Sequence, residues 1–147
     1  MDLKGDQQLS GTPEQVYALL QDPEVLASIM PGCKELKRIA EDEYEGTIKA
    51  RLGPISSQYK ARFKISEKNP PHSYNLTIDG QGPGGFVNGN TRIELTSNDL
   101  GTVLNYTGKA TIGGKIASVG QRLVESGAKI IIGQGFKALK KEVENNL

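Results

Sequence analysis

Side chains able to do acid–base or nucleophilic chemistry are scarce in this chain. His72 is its one histidine and Cys33 its one cysteine. A general base needs a substrate-facing position and a partner that orients it. His72 directly follows Pro70-Pro71 and reads instead as a solvated turn residue. Cys33 comes straight after Pro31-Gly32 and reads as a small, partly buried side chain rather than an activated thiolate. One histidine and one cysteine far apart lack zinc-ligand spacing. Glu41, Asp42 and Glu43 read as the polar turn of a hairpin, with a carboxylate-only metal site as the open alternative. The segment Gly80-Gln81-Gly82-Pro83-Gly84-Gly85 matches the dinucleotide fingerprint in form only. Pro83 sits inside it, and Phe86 to Leu95 alternates like a strand, so no helix N-terminus is offered to a pyrophosphate. No metal or cofactor is expected. Tyrosine is what remains. Tyr59 or Tyr106 could donate a proton in an enzyme of the cyclase or hydratase kind, but only with a perturbed pKa. A non-enzymatic protein is the favoured expectation.

The elements that would position these tyrosines follow from hydropathy period. Thr12-Pro13-Glu14-Gln15 reads as a capped helix start, and Asp22-Pro23 opens a second short helix that Pro31-Gly32 ends. From Leu36 to Ile112 the period is two. Tyr44, Ile48, Ala50 and Leu52 alternate with mostly polar or charged residues, as do Tyr59, Ala61, Phe63 and Ile65, then Tyr74, Leu76 and Ile78, and later Leu104 and Tyr106. Such one-sided strands joined by short turns form an antiparallel sheet with one wet and one dry face. A long helix must cover the dry face. From Ile116 onward, Ile116, Val119, Gly120, Leu123, Gly127, Ile130 and Ile131 recur at helical spacing. Each interior glycine costs about 1 kcal/mol relative to alanine, so this stripe predicts room beside the helix. After Gly133-Gln134-Gly135 the apolar face moves to Ile132, Phe136, Leu139 and Val143, which suggests a kink. Either that end packs back on the domain, or Phe136, Leu139 and Val143 form an exposed edge, flanked by Lys137, Lys140 and Lys141, for a partner or a membrane.

The expected architecture is α+β: one domain over residues 1–147, with a curved antiparallel sheet wrapped around a C-terminal helix and two short helices after the first strand. The expected ligand cavity is lined by Tyr44, Ile48, Leu52, Tyr59, Phe63, Tyr74, Leu76, Ile78 and Tyr106 from the sheet, with Ile116, Gly120, Leu123 and Gly127 from the helix. An apolar chamber with a few hydroxyls suits a hydrophobic small molecule. Eighteen basic and seventeen acidic residues give a net charge of +1, which disfavours nucleic acid as a partner. The polar start, the lone cysteine and the lack of a membrane-spanning apolar run point to the cytoplasm.

Several short stretches carry a family resemblance. They are Asp22-Pro23, Pro31-Gly32-Cys33, Gly53-Pro54, the Gly80/Gly82/Gly85 connection, Gly101-Thr102 with Tyr106, and Gly113-Gly114-Lys115-Ile116-Ala117 followed by Gly120 and Arg122-Leu123. The order of elements resembles the START-like helix-grip fold of birch pollen allergens and polyketide cyclases. The stretches look like the family of the carbon monoxide dehydrogenase G subunit. That resemblance implies an accessory protein beside a molybdenum hydroxylase-type dehydrogenase, recruiting the enzyme to the membrane or carrying a lipophilic quinone. Longer members carry a C-terminal extension suited to membrane attachment, whereas this chain stops at Leu147. At most a transient, peripheral contact with the inner membrane face is expected.

Overall fold

The computed structural model describes every residue except Gly53, and leaves aside the side chains of Leu52 and Ile55. Seven strands alternate with short turns: β1 (Asp2–Leu9), β2 (Cys33–Ala40), β3 (Glu43–Leu52), β4 (Ile55–Asn69), β5 (Ser73–Gly82), β6 (Gly85–Asn98) and β7 (Gly101–Gly113). They form one antiparallel sheet in the order β1-β7-β6-β5-β4-β3-β2. Helices α1 (Pro13–Leu20) and α2 (Pro23–Ile29) follow β1, and α3 (Gln121–Asn145) closes the chain.

The helix starts are those the sequence predicts. Thr12 Oγ1 accepts from the Gln15 amide at 3.2 Å, and the Thr12 amide donates to Gln15 Oε1 at 2.9 Å, a reciprocal capping box. Asp22 Oδ1 accepts from the Glu24 amide at 3.0 Å, and Pro13 and Pro23 occupy first-turn positions where a missing N–H costs nothing. Strand phase is also as expected: Tyr59, Ala61, Phe63 and Ile65 are buried while Lys60, Arg62 and Lys64 face water. The Gly80–Gly85 segment is the β5–β6 hairpin, with Gly82 paired to Gly85.

The closing helix departs from expectation in two ways. The chain after β7 first makes a 3-10 turn over Lys115–Val119, and then breaks at Gly120 with φ +103°. Only then does α3 begin, so the phase set by Ile116 and Val119 cannot be carried into it. Leu123 and Ile130, expected to face inward, are 38% and 61% exposed. The face that packs inward is Val124, Ala128, Ile132, Phe136, Leu139 and Val143, a single stripe at three- and four-residue spacing. There is thus no change of face, and the helix runs unbroken through Gly133-Gln134-Gly135. Of the two readings of the helix end, packing back on the domain is the one observed: Leu139 and Val143 are each only 1% exposed and Phe136 stacks on Tyr106, so these residues are core rather than a docking edge. Gly135 lets α3 approach α2: a β-carbon there would lie 3.3 Å from the Ile29 carbonyl oxygen.

Two apolar clusters result. The larger one, beneath α1, α2 and the end of α3, includes Leu9, Val16, Phe63, Leu104, Leu139 and Val143. The smaller one groups Tyr59, Ile116 and Val124 with Ala50, Ile112 and Val119.

Candidate functional site

Members of both clusters line a cavity of about 290 Å³ between α3 and the concave face of the sheet. Its walls are Ile48 and Ala50 of β3, Tyr59 and Phe63 of β4, Ile78 of β5, Val87 of β6 and Ile112 of β7. Ile116 of the 3-10 turn closes it, and Val124, Ala128, Ile131 and Ile132 of α3 roof it. Met1, Leu3, Met30 and Pro31 also contribute from β1 and the end of α2.

The space exists because the middle of the sheet is bare. Ala61 pairs with Gly80, and Gly89 pairs with Ala110, so small residues from four strands share the cavity floor. Backbone geometry does not demand these glycines. A β-carbon on Gly80 would have its nearest neighbour at 3.7 Å, as would one on Gly89, which is ordinary van der Waals contact, and neither residue has positive φ. Compare Gly32, at φ +78°, where a β-carbon would overlap the Lys49 carbonyl oxygen. At Gly80 and Gly89 a side chain would fit the chain and fill the void.

Of the residues proposed from sequence, Ile48, Tyr59, Phe63, Ile78 and Ile116 do line the cavity. Tyr44 and Tyr74 are instead packed in the larger cluster, with Leu76 against them; Tyr74 meets the edge of Tyr17 at 5.7 Å. Tyr106 lies under Phe136, ring centroids 5.0 Å apart, and over Gly5 of the neighbouring strand, where a β-carbon would strike its ring. Gly120 is a hinge between helices, with open space where its side chain would be, and Leu123 faces outward. Gly127 is half-buried on α3 beside the roofing residues and does not itself line the cavity. Leu52 falls outside the described side chains. Sequence reasoning missed Ala61, Gly80, Gly89 and Ala110 as floor, although the strand alternation, extended by one step on β5 and β6, places both glycines inward.

The polar groups nearby are poorly equipped for catalysis. Tyr59 is 4% exposed and its Oη finds no hydrogen-bond partner among the described residues. Burial pushes that hydroxyl above its ordinary pKa, with the neighbouring Ser57 hydroxyl opposing the shift. Burial raises Tyr17 too, and raises Tyr74 further, with Tyr17 adding to the effect. All three move away from neutrality, opposite to what an acid–base tyrosine needs. Burial likewise pushes the Cys33 thiol up, partly offset by a contact with the Glu35 carbonyl at 3.7 Å. His72 lies exposed on a separate, open and polar concavity of about 780 Å³, beside Glu14, Arg92 and Glu94. Arg92 is already engaged there, donating to Ser73 Oγ at 2.7 Å and Asn75 Oδ1 at 3.1 Å. Among the described residues, no three His, Cys, Asp or Glu side chains gather as a metal site. No helix among them is long and apolar enough to cross a membrane.

A sheet curled around a C-terminal helix over a cavity is the START-like helix-grip arrangement, and solved structures bear this out. A conserved protein from Geobacillus kaustophilus shares 37% identity at TM-score 0.93, covering 99% of this chain and 96% of its own. A Chromobacterium violaceum protein gives TM-score 0.71 at 21% identity, over 97% of each chain. The di-domain ARO/CYC BexL of the BE-7585A biosynthetic pathway gives TM-score 0.67 at 12% identity, over 98% of this chain and 50% of its own. The last two speak to fold alone. The family of the carbon monoxide dehydrogenase G subunit (CoxG) matches residues 5–144, and the chain belongs to that family. No curated protein matches it significantly by sequence.

Proposed function

We propose that this CoxG-family chain is a non-enzymatic accessory protein whose sheet–helix cavity holds an apolar small molecule, lipid-like or quinone-like. It would serve a molybdenum hydroxylase-type dehydrogenase at the cytoplasmic face of the membrane. One observation carries the reading: a void floored by two glycines that the backbone does not require. At roughly 24 cal/mol per Å³, a fully enclosed void of 290 Å³ would cost about 7 kcal/mol, and this cavity, half open to solvent, costs a part of that, still a sizeable share of a domain's net stability. A guest that fills it removes most of that penalty. Arg51, Tyr59 and Thr91 are among the lining residues, but nearly all of the wall surface is apolar, which favours an apolar guest; the volume stands at the lower end of small-molecule sites, so the bound part is slim. The upward tyrosine shifts support the absence of acid–base chemistry.

Organic extraction of the purified protein followed by mass spectrometry tests this. A hydrophobic guest at near-stoichiometric level is expected. Recovery of none, with no thermal stabilisation by added quinones or lipids, would overturn it.

A further inference from the structure

One wall of the cavity is held more loosely than the rest. The strands are tied to one another by long ladders, and the far half of α3 is fixed in the core by Leu139 and Val143. The 3-10 turn over Lys115–Val119 has neither kind of anchor. Within it Ile116 alone is buried; Ala117 and Val119 are half-buried, and Lys115 and Ser118 face water. Among the described residues, a single backbone hydrogen bond joins the turn to the sheet, donated by the Ile116 amide to the Gly84 carbonyl at 2.8 Å. Its other bonds are its own. The Ala117 amide donates to the Gly114 carbonyl at 3.1 Å, the Gly120 amide to the Ala117 carbonyl at 3.2 Å, and Ser118 Oγ to the Lys115 carbonyl at 2.5 Å. Glycines at positive φ bound this small self-bonded unit, Gly114 at +82° and Gly120 at +103°. Their surroundings differ. A β-carbon on Gly114 would strike Gly85, so that end is seated against the β5–β6 hairpin. Nothing lies within 4 Å of such a carbon on Gly120, so that end has room to turn.

Closure of the turn sets two effects against each other. It buries Ile116 against Tyr59 and Val124, which is favourable. It also seals in the Tyr59 hydroxyl, which has no hydrogen-bond partner among the described residues. That hydroxyl sits beside Gly84, the residue to which the turn is bonded: a β-carbon on Gly84 would stand 3.0 Å from Tyr59 Oη. Burying an isoleucine and drying an unpaired hydroxyl are of the same order and opposite in sign. The closed position is therefore only weakly preferred.

We propose that the Lys115–Val119 turn is the door of the cavity. It swings between Gly114 and Gly120, breaks the bond from Ile116 to Gly84 and wets the Tyr59 hydroxyl. An apolar guest then passes between the β5–β6 hairpin and the start of α3. The inference rests on the apolar-guest reading and adds to it the route of exchange.

Amide hydrogen exchange and stopped-flow binding test this on the full chain stripped of guests, with the neutral fluorophore N-phenyl-1-naphthylamine as the probe. In the wild type the Ile116 amide is expected to exchange roughly a hundredfold or more faster than the ladder amides of β6 and β7. Tyr59→Phe removes the hydroxyl that opening wets. It should slow Ile116 exchange, and both association and dissociation of the probe, by about tenfold each. Val119→Ala loosens the seat of the turn at a residue outside the cavity lining, and should speed all three by about the same factor. Exchange of Ile116 in step with the β6–β7 ladder would overturn the proposal, as would probe rates that neither variant alters. So would a change confined to dissociation, which marks altered contact with the probe rather than altered access. Failure of the probe to bind at all would sink the cavity reading and the door with it; binding at unaltered rates would sink the door alone.

Discussion

Replacing Gly89 by leucine puts the void itself to the test. A β-carbon there meets the Lys109 carbonyl oxygen at 3.7 Å and Ala110 Cβ at 3.8 Å, so the new side chain starts without a clash and extends into the cavity. Burying it adds about 1.5–3 kcal/mol, and removing a strand glycine adds roughly 0.4–1 kcal/mol by restricting the unfolded chain. Protein stripped of guests on hydrophobic resin should therefore gain roughly 2–4 kcal/mol, a rise in Tm on the order of 5–10 °C for a domain of this length. Guest content should fall in the same variant, since leucine occupies the guest's space. Thermal unfolding followed by circular dichroism, with mass spectrometry of extracts, reads both quantities. A filled core would respond oppositely, losing about 1–3 kcal/mol to overpacking. Destabilisation of the stripped protein with guest content unchanged would refute the reasoning.

Other expectations follow from the closing helix and the surface. Leu139→Ala should cost about 2–5 kcal/mol in urea unfolding, as for a fully buried leucine, while Leu123→Ala should stay within about 0.5 kcal/mol; similar losses at both would place the phase of α3 elsewhere. Gly120→Ala forces φ +103° on a residue with a β-carbon and should destabilise by about 1–3 kcal/mol, although open space surrounds that position; a neutral result would show that the break between the 3-10 turn and α3 can relax. The Glu45 carboxyl is held below its ordinary value of 4.5, chiefly by its hydrogen bond to Lys60, with Arg62 adding. A depressed carboxylate stabilises the fold above its unfolded pKa and loses that contribution as pH falls through the folded value. Stability of Glu45→Gln measured from pH 6 down to pH 2 should accordingly decline less steeply than that of the wild type.

The strands, their phase and the helix starts were legible because each rests on local rules. A sheet wet on one side forces strict alternation, which Tyr59 to Ile65 displays, and a capping box needs only Thr12 and Gln15. Two parts of the site were not. A glycine at φ +103° and a glycine inside a helix are the same letter, so Gly120 gave no sign that the helical phase restarts after it. Helical spacing counted from Ile116 places Leu123 and Ile130 inward, whereas the restarted helix turns them out. The cavity floor escaped for a different reason. A search for apolar bulk finds walls such as Phe63 and Ile78 but passes over Ala61, Gly80, Gly89 and Ala110, whose contribution is the bulk they lack. Tyr44 and Tyr74 have the expected orientation, yet they belong to the larger cluster under α1 and the end of α3, a distinction alternation cannot make.

The small residues under the cavity have a consequence for selectivity. Where strands meet as Ala61 with Gly80 and Gly89 with Ala110, amides and carbonyls already satisfy one another across the ladder. A molecule resting there would meet almost pure hydrocarbon and peptide planes, with little to read its functional groups. Discrimination on such a bed comes from outline and girth. A single added methyl, Gly to Ala on β5 or β6, would then reset which outlines such a bed accepts.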